Sequence, residues 1–128
     1  MSLLVESEHA QRKQDHLRIV MGEAVASTSS TGLERYRLMH CALPELDLAE
    51  IDTTTSFLGR RLAAPILISG MTGGVERGSE INRRLAAAAQ AHGCAMGVGS
   101  QRVALEQPDL ERLFEVRDIA PDILLLAN

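Results

Sequence analysis

The stretch Ile66-Leu67-Ile68-Ser69-Gly70-Met71-Thr72-Gly73-Gly74 most constrains the fold, because an apolar strand runs straight into a glycine-rich loop shortly ahead of a helix. Glycines at a strand end let backbone N–H groups approach a ligand closely, and the helix N-terminus that follows favours an anion. The pattern reads as a phosphate or cofactor loop. Cys94-Ala95-Met96-Gly97-Val98-Gly99-Ser100-Gln101-Arg102 repeats the design, and a third apolar run, Asp122 to Leu126, ends in Ala127-Asn128. In parallel α/β sheets ligands lie beyond the carboxyl ends of the strands, so Thr72, Ser100 and Asn128 are placed to converge on one site.

The rest of the chain supplies the elements around these loops. A polar, helix-prone stretch runs from about Glu8 to Glu23 with a narrow apolar stripe of Leu17, Val20, Met21 and Ala24, and it is broken by Gly22 and the Ser/Thr run 26–32. Residues 33–50 read as an irregular connection, and Asp52 to Leu62 as a small hairpin. Pro65 opens the first strand, whose near-continuous hydrophobicity through Ser69 predicts cover on both faces. A helix is predicted over Ser79–His92, with Ile81, Leu85, Ala88 and Ala89 toward the core and Gly93 as its stop. The second strand is Cys94–Gly99. A second helix is expected from near Pro108, with Leu110, Leu113, Phe114 and Arg117 along one side, ended by Pro121. Strand-helix-strand-helix-strand predicts a parallel sheet with right-handed crossovers, its last strand left with an open apolar edge. The expected division is 1–62, a helix with an extended segment, and 63–128, a βαβαβ unit.

Composition narrows the function classes. At 128 residues, with 45% hydrophobic residues and a mean hydropathy of zero, the chain suits one soluble domain. Aromatic content of 2% argues against base stacking, and a net charge of −4 disfavours general nucleic-acid binding while permitting a local basic pocket. Cys41 and Cys94 are too few and too isolated for a disulfide framework or a zinc site. No apolar run reaches membrane-spanning length, and Leu3-Leu4-Val5 is followed at once by Glu6, so a cytoplasmic protein is the expectation.

The loops fit no standard nucleotide motif. No Gly-Lys-Ser/Thr follows the first at Walker spacing, and in Gly97-Val98-Gly99 the third glycine of a dinucleotide fingerprint is replaced by Arg102. Taken singly, either loop reads equally well as glycines that allow a tight strand-to-helix turn. Two such loops with Thr72 and Ser100 at comparable strand ends tilt the balance toward a site. Arg12, Lys13 and His16 share one side of the first helix, either as a diphosphate clamp or as a solvated basic face. His9, His40 and His92 have no metal-ligand spacing, and Glu34-Arg35-Tyr36-Arg37 reads as surface.

Together, Arg12-Lys13-Gln14-Asp15-His16-Leu17, Ser69-Gly70-Met71-Thr72-Gly73-Gly74, Gly99-Ser100-Gln101-Arg102 and Leu126-Ala127-Asn128 resemble the type 2 isopentenyl-diphosphate isomerases, flavin-dependent (β/α)8-barrel enzymes. The resemblance runs from about residue 10 to the end. It implies an α/β fold that is the N-terminal portion of a TIM barrel: about three parallel strands with two crossover helices, preceded by the helix and the hairpin. It implies that Arg12 and Lys13 bind a substrate diphosphate and that Met71, Thr72, Gly73 and Asn128 contact FMN. Ser100 would serve FMN and, with Gln101 and Arg102, the substrate; no catalytic or metal-ligating residue is assigned. The implied activity interconverts isopentenyl and dimethylallyl diphosphate, with reduced FMN as acid/base, NADPH to reduce the flavin and Mg²⁺ on the diphosphate, in a full-length form expected to be a homo-oligomer. The family's metal-binding glutamate and later flavin-phosphate loops would fall after Asn128, so these 128 residues alone are expected to be inactive. The alternative is a small non-catalytic α/β phosphate-binding or interaction module.

Overall fold

The computed structural model describes residues 8–128, so the Leu3-Leu4-Val5 run lies outside the described residues. Helix α1 spans Glu8–Gly22, as the polar helix-prone stretch predicts. Single 3₁₀ turns at Leu33–Arg35 and Leu48–Glu50 punctuate the exposed connection that follows. The second turn is held by a capping box, in which the Asp47 carboxylate accepts from the Ala49 N–H at 2.8 Å and Glu50 accepts from the Asp47 N–H at 3.0 Å.

The hairpin joins β1 (Thr55–Phe57) to β2 (Arg60–Leu62), pairing Thr55 with Leu62 and Phe57 with Arg60. Its two loop residues both take positive φ, Leu58 at 47° and Gly59 at 73°, the combination of a type I′ turn whose twist matches the strands. The Thr53 hydroxyl donates to the Ala63 carbonyl at 2.7 Å, and the Ala63 N–H donates to Gly93 at 2.9 Å, which ties the hairpin to the end of the next helix.

Strands β3 (Leu67–Ile68), β4 (Ala95–Gly97) and β5 (Leu125–Leu126) form a three-stranded parallel sheet in sequential order. Ile68, Met96 and Leu125 lie in one row across it and all three pack into the core. The central strand is buried throughout. The expectation of cover on both faces fails for β3, where Leu67 is 41% and Ile66 53% exposed. Alternation along a strand sends Ile68 to the core side and Leu67 to the other side, where it borders an open cavity shared with Phe57 and Leu62 of the hairpin.

Between β3 and β4, α2 spans Glu76–His92 and ends on Gly93 in the left-handed region at φ 62°, the predicted stop. It starts three residues before the predicted Ser79. Its buried face is Gly78, Ser79, Asn82, Ala86 and Ala89, with Leu85 packed beside it. Ala88, expected in the core, is exposed, and Ile81 is only half-buried. The stripe of small and polar residues lets the helix lie close to the sheet and its loops.

The second crossover is not the single helix expected from Pro108. A short α3 (Arg102–Glu106) is followed by a 3₁₀ segment, Pro108–Phe114. Proline pushes the residue before it out of helical geometry, and Gln107 sits at φ −136°, ψ 90°, splitting the run in two. Leu113 and Phe114 are buried as expected. Arg117 is not part of an apolar side: its guanidinium donates to the carbonyls of Pro121 at 3.1 Å and Ile123 at 2.9 Å, closing the turn that leads into β5.

Two ion pairs join α2 to this crossover. Arg83 forks onto Asp118 at 2.9 and 2.7 Å, and Arg112 pairs with Glu76 at 2.5 Å. The hydrogen bond from Arg83 holds the Asp118 carboxyl below the usual carboxylate range, and the one from Arg112 does the same to Glu76. Both groups therefore bind protons more weakly folded than unfolded. Their contribution is complete above the unfolded values, near pH 4, and is lost as pH falls through the lowered folded ones. The thermal midpoint is thus expected to hold steady from neutrality to about pH 5 and to fall below about pH 4, with a shallower fall in Arg83→Gln. Because both pairs are solvent-exposed the effect is small, and scanning calorimetry across that range in the two proteins checks it; identical curves would remove the pairs from the account.

Candidate functional site

All three parallel strands end on one side of the sheet, and their loops are sewn together by backbone hydrogen bonds. The Val98 N–H donates to Leu126 at 3.0 Å, the Gly99 N–H to Thr72 at 3.1 Å, and the Gln101 N–H to Asn128 at 2.8 Å. The approach is close enough to require glycine. A Cβ on Gly70 would run into the Val98 carbonyl, and one on Gly99 into the Thr72 carbonyl. These two glycines therefore serve the joining of neighbouring loops to each other.

A cavity of about 60 Å³ opens beside this junction, lined by Arg12, Lys13, Gly74, Ser100, Arg102 and Val103. Arg12 and Lys13 arrive on α1, Gly74 on the loop after β3, Ser100 on the loop after β4, and Arg102 and Val103 on α3. Gly74 sits at φ 76°, a conformation that L side chains rarely adopt, and a Cβ there would meet Val103. Three cationic side chains thus surround a small space that also holds a half-buried hydroxyl. The Arg102 Nε donates to Glu106 one turn along α3 at 3.2 Å. Such an arrangement suits a multiply charged anion, since Arg and Lys can satisfy several oxygens by charge-assisted hydrogen bonds.

Of the residues predicted for the site, Arg12, Lys13, Ser100 and Arg102 meet at this cavity. His16, on the same side of α1, does not line it. Gln101 precedes α3 and reaches Asn128 through its backbone, while the Asn128 side chain is exposed. Met71 is 80% exposed, and Thr72 and Gly73 are buried, with Gly73 against the Phe114 ring. Among the backbone hydrogen bonds of the described residues, none is donated by Met71, Thr72, Gly73 or Gly74, and Val75, at the N-cap position ahead of α2, provides no side-chain cap. Sequence reasoning missed Gly74 and Val103 as lining residues, and it missed Asn82, a buried amide whose Nδ2 donates to the Thr72 carbonyl at 3.0 Å. The signal for Asn82 was present: an amide four residues after Gly78, in a stripe otherwise made of small residues.

Residues 18–109 match the family model of FMN-dependent dehydrogenases. Isopentenyl-diphosphate delta-isomerase of Synechococcus is 58% identical over 127 residues, which is 98% of this chain and 36% of that protein. The proteins of the same name from Rickettsia felis and Nostoc are 57% and 54% identical, over 92% and 91% of this chain and 34% of each relative. The chain therefore spans about a third of the length of the curated relatives it matches. Since the family model covers well over half of its residues, the chain belongs to the FMN-dependent dehydrogenase family.

Proposed function

We propose that this chain carries the diphosphate-binding surface and part of the flavin-binding surface of an FMN-dependent isomerase that interconverts isopentenyl and dimethylallyl diphosphate. The observation that carries the reading is the meeting of Arg12, Lys13 and Arg102 with Ser100 at the carboxyl ends of parallel strands. Substrate diphosphate is received there, with Gln101 as a further contact from the same loop. The three-stranded sheet, read with its family, is the start of a (β/α)8 barrel, a fold whose sites lie at the strand ends.

The residues present fit FMN. A flavin offers ring carbonyls and a phosphate as acceptors, and the run Met71-Thr72-Gly73-Gly74 offers consecutive N–H groups with no backbone partner among the described residues. Met71, Thr72 and Gly73, with Ser100 and Asn128, would hold it. Reduced FMN supplies the acid/base chemistry of an isomerisation without net redox change. This chain's part is to fix the diphosphate by its cations, so that binding energy far from the alkene positions the reacting carbons. NADPH would serve only to reduce the flavin. Among the described residues no three His, Cys, Asp or Glu side chains gather into a metal site, so these residues by themselves do not fit Mg²⁺. A cytoplasmic, homo-oligomeric enzyme is the form this reading expects.

The test is conversion of isopentenyl diphosphate by the protein carrying this sequence, supplied with FMN, reductant and Mg²⁺. Diphosphate binding without flavin retention or turnover would favour a non-catalytic module instead. Ser100→Ala is expected to weaken FMN binding by about two- to tenfold, the value of one neutral hydrogen bond, in a flavin fluorescence titration. Unchanged affinity would take Ser100 out of the flavin contacts.

A further inference from the structure

The face that α2 turns inward is polar in its first half, where Gly78, Ser79 and Asn82 are buried ahead of Ala86 and Ala89. Burying an amide is unfavourable unless it is hydrogen-bonded. Asn82 is 1% exposed, and its Nδ2 donates to the Thr72 carbonyl at 3.0 Å. The same oxygen accepts the Gly99 N–H at 3.1 Å, so its two lone-pair directions are both engaged. One turn earlier on the helix, a Cβ at Gly78 would stand 3.0 Å from the Thr72 Oγ1 and 3.1 Å from the Gly73 nitrogen. The bare backbone at Gly78 lets the loop rest on the helix, and Asn82 holds it there.

The peptide group gives this grip a consequence. A trans peptide is planar, with its C=O and N–H pointing opposite ways, so fixing the Thr72 carbonyl also fixes the direction of the Gly73 N–H. That N–H is one of the loop donors without a backbone partner among the described residues. We infer that Asn82 is a positioning residue, which through the Thr72 carbonyl sets the aim of the Gly73 N–H toward the flavin. Asn82 touches no ligand itself. Its role rests on the reading of this loop as a flavin contact.

The test compares Asn82→Ala with Ala86→Gly, a change further along the same buried face that weakens the helix without reaching the loop. FMN dissociation constants, the visible absorption of bound flavin and thermal midpoints are measured on the protein carrying this sequence. Asn82→Ala is expected to weaken FMN about tenfold and to shift the flavin bands, as a misdirected donor would. Ala86→Gly is expected to lower the midpoint while leaving both flavin readouts unchanged. The KM for diphosphate at saturating flavin should stay within about twofold for either variant, since the cations of α1 and α3 are untouched. Asn82→Ser, smaller but still a donor, provides a second variant if Asn82→Ala does not fold, and it should bind FMN with intermediate affinity. Wild-type affinity and spectrum in Asn82→Ala, or in Asn82→Ser where that variant stands in for it, would overturn the inference, as would an equal loss in Ala86→Gly. Failure of the unaltered protein to retain FMN would instead remove the flavin reading on which the inference stands.

Discussion

Replacing Lys13 and Arg102 together by alanine is expected to raise the KM for a diphosphate substrate by on the order of a hundredfold, with flavin content intact. Both side chains line the cavity beside Ser100, but they come from helices that lie on opposite sides of it in sequence, α1 and α3. A hydrogen bond to a charged group contributes about 1.5–3 kcal/mol, so each replacement alone should cost roughly tenfold or more. The two act on one anion, so the double variant need not equal the product of the singles. The Arg102 pair with Glu106 does not weaken the expectation. Its partners are 72% and 43% exposed and stand one turn apart, and such pairs contribute little, so an incoming diphosphate displaces the carboxylate easily. Steady-state kinetics on flavin-replete protein decide the matter. A KM unchanged in both single variants and in the double would return Lys13 and Arg102 to a solvated surface.

The ends of strands were legible in this sequence, and the faces of helices only in part: Leu85, Ala89, Leu113 and Phe114 were placed rightly against the core. Glycines after Ile68 and Met96 mark where strands give way to loops, because backbone that must approach backbone admits no side chain. Leu58-Gly59 likewise marks a hairpin whose turn needs positive φ. Helix faces were read by hydrophobicity, which put Ala88 inside and overlooked Asn82. The buried side of α2 is chosen by smallness and by one hydrogen bond, and neither has a hydropathy signature. The second crossover failed for a related reason. Pro108 does open a helical turn, but it also forces Gln107 out of one, and the first effect was read without the second. At the site, helical spacing alone left Arg12 and Lys13 open between a clamp and a solvated face. Their meeting with Ser100 and Arg102 joins residues almost ninety positions apart, a pairing that no local pattern contains.

The largest stability effect is expected from Gly99→Ala. A Cβ there would overlap the Thr72 carbonyl and stand 3.0 Å from the Thr72 nitrogen, so what it meets is backbone and no side-chain rotation relieves it. Separating the two loops to make room would break the Gly99 N–H to Thr72 bond at 3.1 Å and pull Thr72 from Asn82 as well. Overpacking costs about 1–3 kcal/mol and the lost hydrogen bond about 1 more, so a total of about 3 kcal/mol and a fall of roughly 10 °C in the thermal midpoint are expected. Gly22→Ala is the natural comparison. Nothing lies within 4 Å of a Cβ at Gly22, and its φ is not in the left-handed region, so alanine there should leave the midpoint unchanged or raise it slightly. The contrast separates a glycine that the packing of the loops requires from one that only ends a helix. A wild-type midpoint for Gly99→Ala would mean that the loops after β3 and β4 part without cost, and the junction that sets the Thr72 carbonyl would lose its physical basis.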